Sequence, residues 1–257
     1  MQTLISFDVA GDFGFFRKPD TNDGIQLSYN LIHKPSVLGI LGAIAGLAGY
    51  RQAGVWPQYY ECLKHLRIGI EPLGEHERGN FGKVVITYTN TVGYANDRSN
   101  LIVRESTLLN PGYRLYLLLD TDNPLEAQLL EYIQTGKAVY LPYFGKNECP
   151  LYWSVDDVKT YEYSDFKPES GFKIRTAFVK NKRAAAAQRK AEGAFARILE
   201  PGSFAYFEEI PIGFWEELHQ YDMAEVAYSN WMLSPNTDLE GLYEVVHHGD
   251  RFIIQLF

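Results

Sequence analysis

A helix interrupted by glycines is the feature that most restricts how this chain can fold. Large apolar residues recur at spacings of three and four over 37–47, which predicts a helix over 36–49. Glycines interleave with them, and each costs about 1 kcal/mol in a helix interior. We therefore expect a packing role, in which small residues let the helix lie close against a sheet or another chain. The apolar run 37–50 is 14 residues long, below the ~18 needed to span a bilayer, so no membrane contact is expected.

The patterns around this helix predict an α+β fold. Residues 83–90 and 100–108 alternate and are β-rich with turn residues between them, which predicts a long hairpin. The other elements predicted before residue 145 are strands over 3–9, 113–119 and 138–144 and helices over 57–66 and 124–135. This order is β-α-β-β-α-β with a hairpin insertion, which fits a ferredoxin-like unit.

The second half of the sequence is β-rich. Strands are predicted over 152–158, 172–179, 203–208, 225–233, 242–247 and 251–257. We therefore expect a ferredoxin-like domain over 1–149 and a β-rich C-terminal domain or elaboration over 150–257.

Composition excludes several classes of protein. The 257 residues carry a formal net charge of −8, which does not suggest a strongly basic nucleic-acid binder. The two cysteines, Cys62 and Cys149, exclude a disulfide scaffold and a four-cysteine zinc site. Residues 1–8 lack a basic leader, and free thiols fit a reducing compartment, so a cytoplasmic location is expected.

The charge is unevenly distributed along the chain. Residues 171–197 contain eight basic residues and one acidic residue, a net charge of +7. Residues 200–226 contain seven acidic residues and no Lys or Arg, a net charge of −7. Adjacent blocks of opposite sign suggest one surface that faces a polyanion and one kept away from it. The alternative is two solvated faces.

Standard catalytic signatures are missing from the sequence, which has no P-loop, G-x-S-x-G, H-E-x-x-H or dinucleotide fingerprint. The histidines form no spaced metal set with a cysteine, so no metal and no cofactor are expected. The acidic pairs Glu208-Glu209 and Glu216-Glu217 are interpreted as a solvated acidic face.

Three other places suggest contact with RNA. Residues 16–22 put Arg and Lys next to aromatic rings on a loop, which suits phosphate contact and base stacking. In 29–34, His33 and Lys34 precede the glycine-spaced helix, where a phosphate is favoured. The third place is the hairpin, whose tip and arm carry Tyr94, Asn96, Arg98 and Arg104.

Together these stretches resemble a known family. The run F-R-K-P-D-T-N at 16–22, then Tyr29 and H-K-P-S-V-L-G-I-L-G-A-I-A-G-L at 33–47, resembles the Cascade subunit that holds the 5′ end of CRISPR RNA. That subunit belongs to the CRISPR-associated RAMP superfamily, and the sequence of these stretches is most similar to its type I-B branch. Y-F-G-K-N-E-C at 143–149 resembles the superfamily's glycine loop.

The resemblance implies a RAMP-type ferredoxin-like domain whose palm and β-hairpin thumb, here 83–108, grip the 5′ handle of the guide RNA. The thumb would also displace a base of the guide–target duplex near its start. Implied partners are the CRISPR RNA handle, the Cascade backbone and large subunits, and target DNA. The expected RNA contacts are Arg17, Lys18, Asn22, Tyr29, His33, Lys34, Lys83, Tyr94, Asn96, Arg98, Arg104, Lys146 and Asn147. Charge alone adds Lys173, Arg175, Lys180, Lys182 and Arg183.

Two alternatives remain beside a non-catalytic RNA-binding subunit. One branch of the family, type I-C, cuts repeat RNA without metal by using Tyr, Lys and His, and Tyr29, His33 and Lys34 match those residue types. The other alternative is a scaffold whose acidic face at 200–226 docks another protein.

Overall fold

A computed structural model describes residues 1–19, 24–74, 78–90, 101–180 and 202–257 of the chain. The α-helices within these residues are α1 (Lys34–Ala45), α2 (Gln58–Leu63) and α3 (Pro124–Thr135). The first eight strands are β1 (Gln2–Ala10), β2 (Phe13–Gly14), β3 (Phe16–Arg17), β4 (Gln26–Tyr29), β5 (Arg67–Pro72), β6 (Lys83–Asn90), β7 (Leu101–Leu109) and β8 (Gly112–Asp120). The later strands are β9 (Lys159–Asp165), β10 (Phe178–Val179), β11 (Ala205–Trp215), β12 (Gln220–Ser229), β13 (Leu242–His247) and β14 (Asp250–Gln255). No described helix is long and apolar enough to cross a membrane.

The molecule is mostly β, with its helices gathered near one sheet. Six strands form the largest sheet, in the order β14-β13-β9-β1-β8-β5, and every neighbouring pair is antiparallel. A second sheet has the order β10-β12-β11. The third has the order β2-β7-β4-β3, with β6 paired to β7. The largest sheet joins strands from both sides of residue 149, and the division into two domains stays a prediction.

Several predicted elements are confirmed. The first strand is β1, and the two arms of the predicted hairpin are β6 and β7, which pair in antiparallel register from Lys83 opposite Leu108 to Asn90 opposite Leu101. Helix α3 has the predicted ends, because the Asn123 side chain accepts the Leu125 amide at its start and Gly136 adopts a left-handed conformation at its end.

Two strand predictions are wrong, a third (172–179) holds only at its end, where β10 lies, and one strand was not predicted. Residues 138–144 form no strand beyond an isolated bridge between Tyr143 and Pro150. The strand that follows α3 is β9, later than the predicted strand 152–158, which contains only a bridge and a short 3₁₀ turn. Strand β5 was not predicted, because its R-I-G-I-E-P sequence is short and contains a glycine and a proline, which weaken a strand pattern.

The central strand β1 has both of its faces buried. Ile5, Phe7 and Val9 point to one face, where they join the core cluster that also contains the apolar residues of α1 and α3. Leu4 lies on the opposite face in a second cluster with Tyr116, which is contributed by β8. This alternation follows from the period of two in a strand, and it places the helices on one side of the sheet.

The glycines of α1 have the packing role that their cost predicts. A Cβ added at Gly42 would overlap Cβ of Tyr59, so only a glycine lets α2 approach this closely. Gly46 is left-handed (φ 80°) and ends the helix three residues before the predicted end. The close neighbours of the glycines are therefore Tyr59 and, at Gly46, the side chain of Val139.

We expect opposite effects from alanine at two glycines of α1. Gly42→Ala should lower the free energy of unfolding by about 1–3 kcal/mol, because the new methyl group overlaps Tyr59. Gly39→Ala should raise it by up to about 1 kcal/mol, because its Cβ would lie 4.0 Å from the Tyr59 ring and alanine favours the helix. Urea unfolding of both variants measures the difference, and equal effects would contradict the packing role.

Candidate functional site

The glycine loop around Gly145 contacts the loop that follows β2. The amide of Phe15 donates to the Phe144 carbonyl at 3.0 Å. Gly145 has φ 80°, and a Cβ there would overlap the carbonyl oxygen of Phe15. Only glycine allows both this conformation and this approach. Two segments that are about 130 residues apart by their printed numbers, 15–17 and 143–149, therefore meet at one place.

Aromatic rings hold this meeting point together. Phe16 is fully buried, and its ring centroid lies 5.8 Å from Phe144, 6.3 Å from Tyr113 and 6.1 Å from His33. All three pairs are edge-to-face, the geometry that ring quadrupoles favour. Phe16 is also paired with Tyr29 across β3 and β4. The family-like segments at 16–17, 29–34 and 143–149 thus share one core.

A cluster of three polar side chains links the glycine loop to the hairpin. Lys146 Nζ lies 2.8 Å from Oε2 of Glu105 on β7. The Tyr88 hydroxyl on β6 donates to Oε1 of the same carboxylate at 2.8 Å. Glu105 is buried, whereas Lys146 is partly exposed and lies 5.0 Å from the centroid of the Tyr88 ring. Lys146 therefore anchors the β6–β7 hairpin midway along its described ladder.

The predicted RNA residue Lys18 is also engaged within the protein. Its Nζ lies 2.9 Å from Oε1 of Glu208, a carboxylate that is 5% exposed. Oε2 of Glu208 accepts the amides of Asn30 and Leu31, each at 3.0 Å. Glu208 on β11 thus fixes the chain immediately before α1. Lys83, at the start of the hairpin, lies close enough to interact electrostatically with both Glu208 and Lys18.

The interpretation of 200–226 as a solvated acidic face is wrong for part of that block. Glu208 is buried, while its neighbour Glu209 is exposed. Glu216 and Glu225 form ion pairs with Lys64 and Lys180. The alternation of a strand explains the first pair, because β11 turns one carboxylate inward and the next outward.

His33 is a buried structural residue. It caps α1: its Nδ1 accepts the Ser36 amide at 3.2 Å, and its Nε2 lies 3.1 Å from the Ser36 hydroxyl. The imidazole is surrounded by the rings of Phe16, Tyr29 and Tyr221. This burial lowers the pKa of His33 to about 3, so the ring is neutral at physiological pH.

Tyr29 and Lys34 point to different neighbours. The Tyr29 side chain is buried, and its hydroxyl contacts Sδ of Met223 at 3.9 Å. Lys34 Nζ donates to the Phe257 carbonyl at 2.9 Å. Burial, with a smaller effect of the Arg67 charge, lowers the pKa of Lys34 to about 8. Among the three residues named for catalysis, Lys34 alone is partly exposed.

The other predicted contacts fall into two groups. Arg17 and Arg104 are exposed on β3 and β7, and Asn147 is exposed beside the glycine loop. Lys173 and Arg175 are exposed on a separate segment, where the Arg175 guanidinium lies 3.7 Å from the centroid of the Phe252 ring. The described part of the basic stretch therefore packs against β14 and, through the Lys180–Glu225 pair, against β12. Asn22, Tyr94, Asn96, Arg98, Lys182 and Arg183 lie outside the described residues.

Two cavities flank the ring of Tyr221, and apart from Lys18, Tyr29, His33 and the glycine loop their lining was not predicted as functional. One of about 900 Å³ lies between Lys18, Tyr29 and the β11–β12 hairpin. The other, of about 610 Å³, lies along α1 and is rich in tyrosine. The high tyrosine content, 18 residues, was the available signal. It did not identify which of these rings would meet. In the parts of the chain that are described, no group of three or more His, Cys, Asp or Glu side chains is arranged to hold a metal.

The comparisons with known proteins give structural similarity only. No family model and no curated protein matches the chain. A CRISPR protein from Archaeoglobus fulgidus aligns over 99% of both chains with 14% identity and a TM-score of 0.49. A chain of a CRISPR RNA-guided surveillance complex aligns over 91% of both with 10% identity and a TM-score of 0.47. A chain of a type III-B Cmr-beta complex bound to cognate target RNA aligns over 91% of this chain and 86% of its own, with 11% identity and a TM-score of 0.48. At these values the comparisons do not distinguish a subtype or a subunit role.

We expect neighbouring carboxylates on β11 to differ sharply in their effect on stability. Glu208→Gln should lower the free energy of unfolding by about 1–3 kcal/mol, because a neutral amide replaces the buried carboxylate that pairs with Lys18 and accepts the amides of Asn30 and Leu31. Glu209→Gln, the matched control, should change it by less than about 0.5 kcal/mol, because the side chain is exposed. Chemical unfolding at pH 7 measures both, and a similar loss in the two variants would contradict the arrangement.

The buried imidazole should make stability depend on pH. The folded-state pKa of His33 is about 3 against an ordinary 6.5, so the unfolded chain binds a proton between these values and the folded chain does not. Stability should therefore fall as the pH drops below 6.5. His33→Asn keeps a capping oxygen and removes this effect. From pH 6.5 to 5 the variant should gain about 2 kcal/mol relative to the parent. A constant difference across this range of urea unfolding experiments would be inconsistent with a buried neutral ring.

Proposed function

We propose that this protein is a non-catalytic RNA-binding subunit of a CRISPR RNA-guided complex. The observation that carries the proposal is the meeting of the three family-like segments around Phe16, although they are far apart in sequence. Two of the segments leave exposed polar or basic groups beside that core, Arg17 in the first and Asn147 in the glycine loop, while 29–34 is buried except for the partly exposed Lys34. Exposed cations near aromatic rings suit phosphate and base contact.

The strand arrangement supports a ferredoxin-like unit as its framework. In chain order, β1 is followed by α1 and α2, then β5, β8, α3 and β9. In the sheet these strands stand in the order β9-β1-β8-β5. This order supports the β-α-β-β-α-β arrangement of a ferredoxin-like fold, with β2–β4 inserted between β1 and α1 and the β6–β7 hairpin between β5 and β8. We propose that this hairpin is the thumb of a RAMP-type domain.

The finer role follows from the resemblance of the sequence. We propose that the chain binds the 5′ handle of CRISPR RNA, caps the guide-RNA filament and contacts the backbone and large subunits and the target DNA, as in type I-B. Arg17, Lys83 and Arg104 are the exposed cations on the strands nearest the shared core. Lys18 and Lys146 are proposed to act indirectly, by fixing the segment before α1 and the β6–β7 hairpin.

Binding without cleavage is proposed because the residues named for catalysis do not form a set. Tyr29 and His33 are at most 4% exposed, and both ring nitrogens of His33 face Ser36. A general acid or base must reach the proton that it transfers. Lys34 has a lowered pKa, but its amine is bonded to the Phe257 carbonyl.

The test is a metal-free incubation of the full chain with end-labelled repeat RNA, beside a scrambled RNA of equal length. Each sample is divided between native and denaturing gels. We expect a repeat-selective shift with intact RNA and an affinity that falls steeply with salt, because phosphate contacts release counterions. Arg17→Ala should weaken binding about threefold to tenfold and reduce the salt slope by about one.

Arg251→Ala is the matched control, because this exposed arginine lies on β14 and faces Glu244. It should leave the affinity unchanged. A shorter product on the denaturing gel would instead support the metal-independent endonuclease and direct mutagenesis to Lys34. A salt-independent interaction, or equal loss in Arg17→Ala and Arg251→Ala, would contradict the proposed RNA site and favour a scaffold role.

A further inference from the structure

A groove along α1 has an aromatic lining that the proposed RNA contacts do not use. It encloses about 610 Å³ between α1, the chain at 140–143 and the turn end of the β11–β12 hairpin. Tyr50 is 60% exposed and Tyr143 is 43% exposed, so both rings are accessible at its mouth. Tyr59 and Tyr221 are partly buried and form the inner part of the lining.

The packing of α1 fixes the inner tyrosines. The ring of Tyr59 lies over Gly39, and its Cβ lies directly against Gly42. The Tyr221 ring is stacked on Phe214 with centroids 4.9 Å apart and lies edge-on to His33 at 5.7 Å. Rings held in this way give the groove a preformed inner wall, which limits the conformational entropy lost when a ligand enters it.

The charge of the groove is unusual for this chain. The protein has 32 acidic residues against 24 Lys and Arg, yet the described residues that line the groove include no Asp or Glu and one cation, Arg51. Burial raises the pKa of Tyr59, and the nearby Tyr50 phenol raises it further. The lining therefore has no carboxylate to repel a phosphate, and Arg51 supplies its one full charge.

The groove is continuous with the candidate site. His33 and Gly145, which belong to the segments that meet around Phe16, also line it. Its volume falls within the ~300–1,000 Å³ of small-ligand pockets, enough for one unpaired nucleotide. A neutral aromatic lining with one arginine matches the needs of a base and its phosphate, because stacking needs only a ring face.

We propose that this groove binds an unpaired nucleotide of the RNA, with its base stacked against Tyr50 or Tyr143 and its phosphate near Arg51. The proposal rests on the proposed function, because it assumes that the chain binds RNA. It adds a stacking subsite beside the exposed cations of the strands. A base held here would be outside any duplex, so the groove would bind single-stranded RNA and reject a paired segment.

The experiment uses the full chain and a set of repeat-derived RNAs, each carrying one 2-aminopurine at a successive position. Stacking on a tyrosine quenches the fluorescence of this base, and titration of the protein gives the affinity. We expect quenching that is strongest at one position. Tyr50→Ala and Tyr143→Ala should restore the fluorescence there and, for at least one of them, weaken binding about fivefold or more.

Two controls separate stacking from a change of fold. Tyr50→Phe keeps a ring and should keep both the quenching and the affinity. Tyr152→Ala removes another exposed tyrosine, 62% exposed and outside the lining, and should change neither. If RNA binds but no position depends on Tyr50 or Tyr143, the groove proposal fails while the proposed function stands. If none of the RNAs binds, both fail.

Discussion

The carboxylate of Glu208 is the interaction on which the candidate site depends. It pairs with Lys18 on one side of the site and accepts the amides of Asn30 and Leu31 on the other. These contacts join the loop after β3, the entry to α1 and the β11–β12 hairpin. A buried carboxylate is tolerated only when its oxygens are satisfied, so the three segments hold one another in position. Glu105 has the same role midway along the β6–β7 hairpin, between Lys146 and Tyr88.

Local patterns predicted much of the framework. The glycine spacing of α1, the Asn-Pro start of α3 and the alternation of the β6–β7 hairpin each depend on neighbouring residues, and each was found close to its predicted place. Strands β5 and β9 were not predicted, because their apolar content is low and their positions are fixed by pairing with β8 and β1. Tertiary contacts of this kind override local propensity.

The site residues illustrate the same division. The sequence contains the cations Lys18 and Lys146, but it does not reveal the carboxylates that face them. Those carboxylates lie 190 and 41 positions away in the chain. The acidic block 200–226 was therefore interpreted as one surface, although strand alternation turns Glu208 inward. The tyrosines of the groove were equally hidden, since Tyr50, Tyr143 and Tyr221 come from three separate segments.

The central position of β1 affects the order in which the chain folds during its synthesis. Its neighbours in the sheet are β8 and β9, so residues 2–10 cannot pair until residues 112–120 and 159–161 have been synthesised. The amides of Asn30 and Leu31 gain their acceptor later still, when Glu208 has been synthesised. Pairings between distant residues form slowly, because loop closure precedes any gain from contact. On the ribosome, the N-terminal segments therefore leave the exit tunnel long before the carboxylate that orders them, and the site matures among the last parts of the fold.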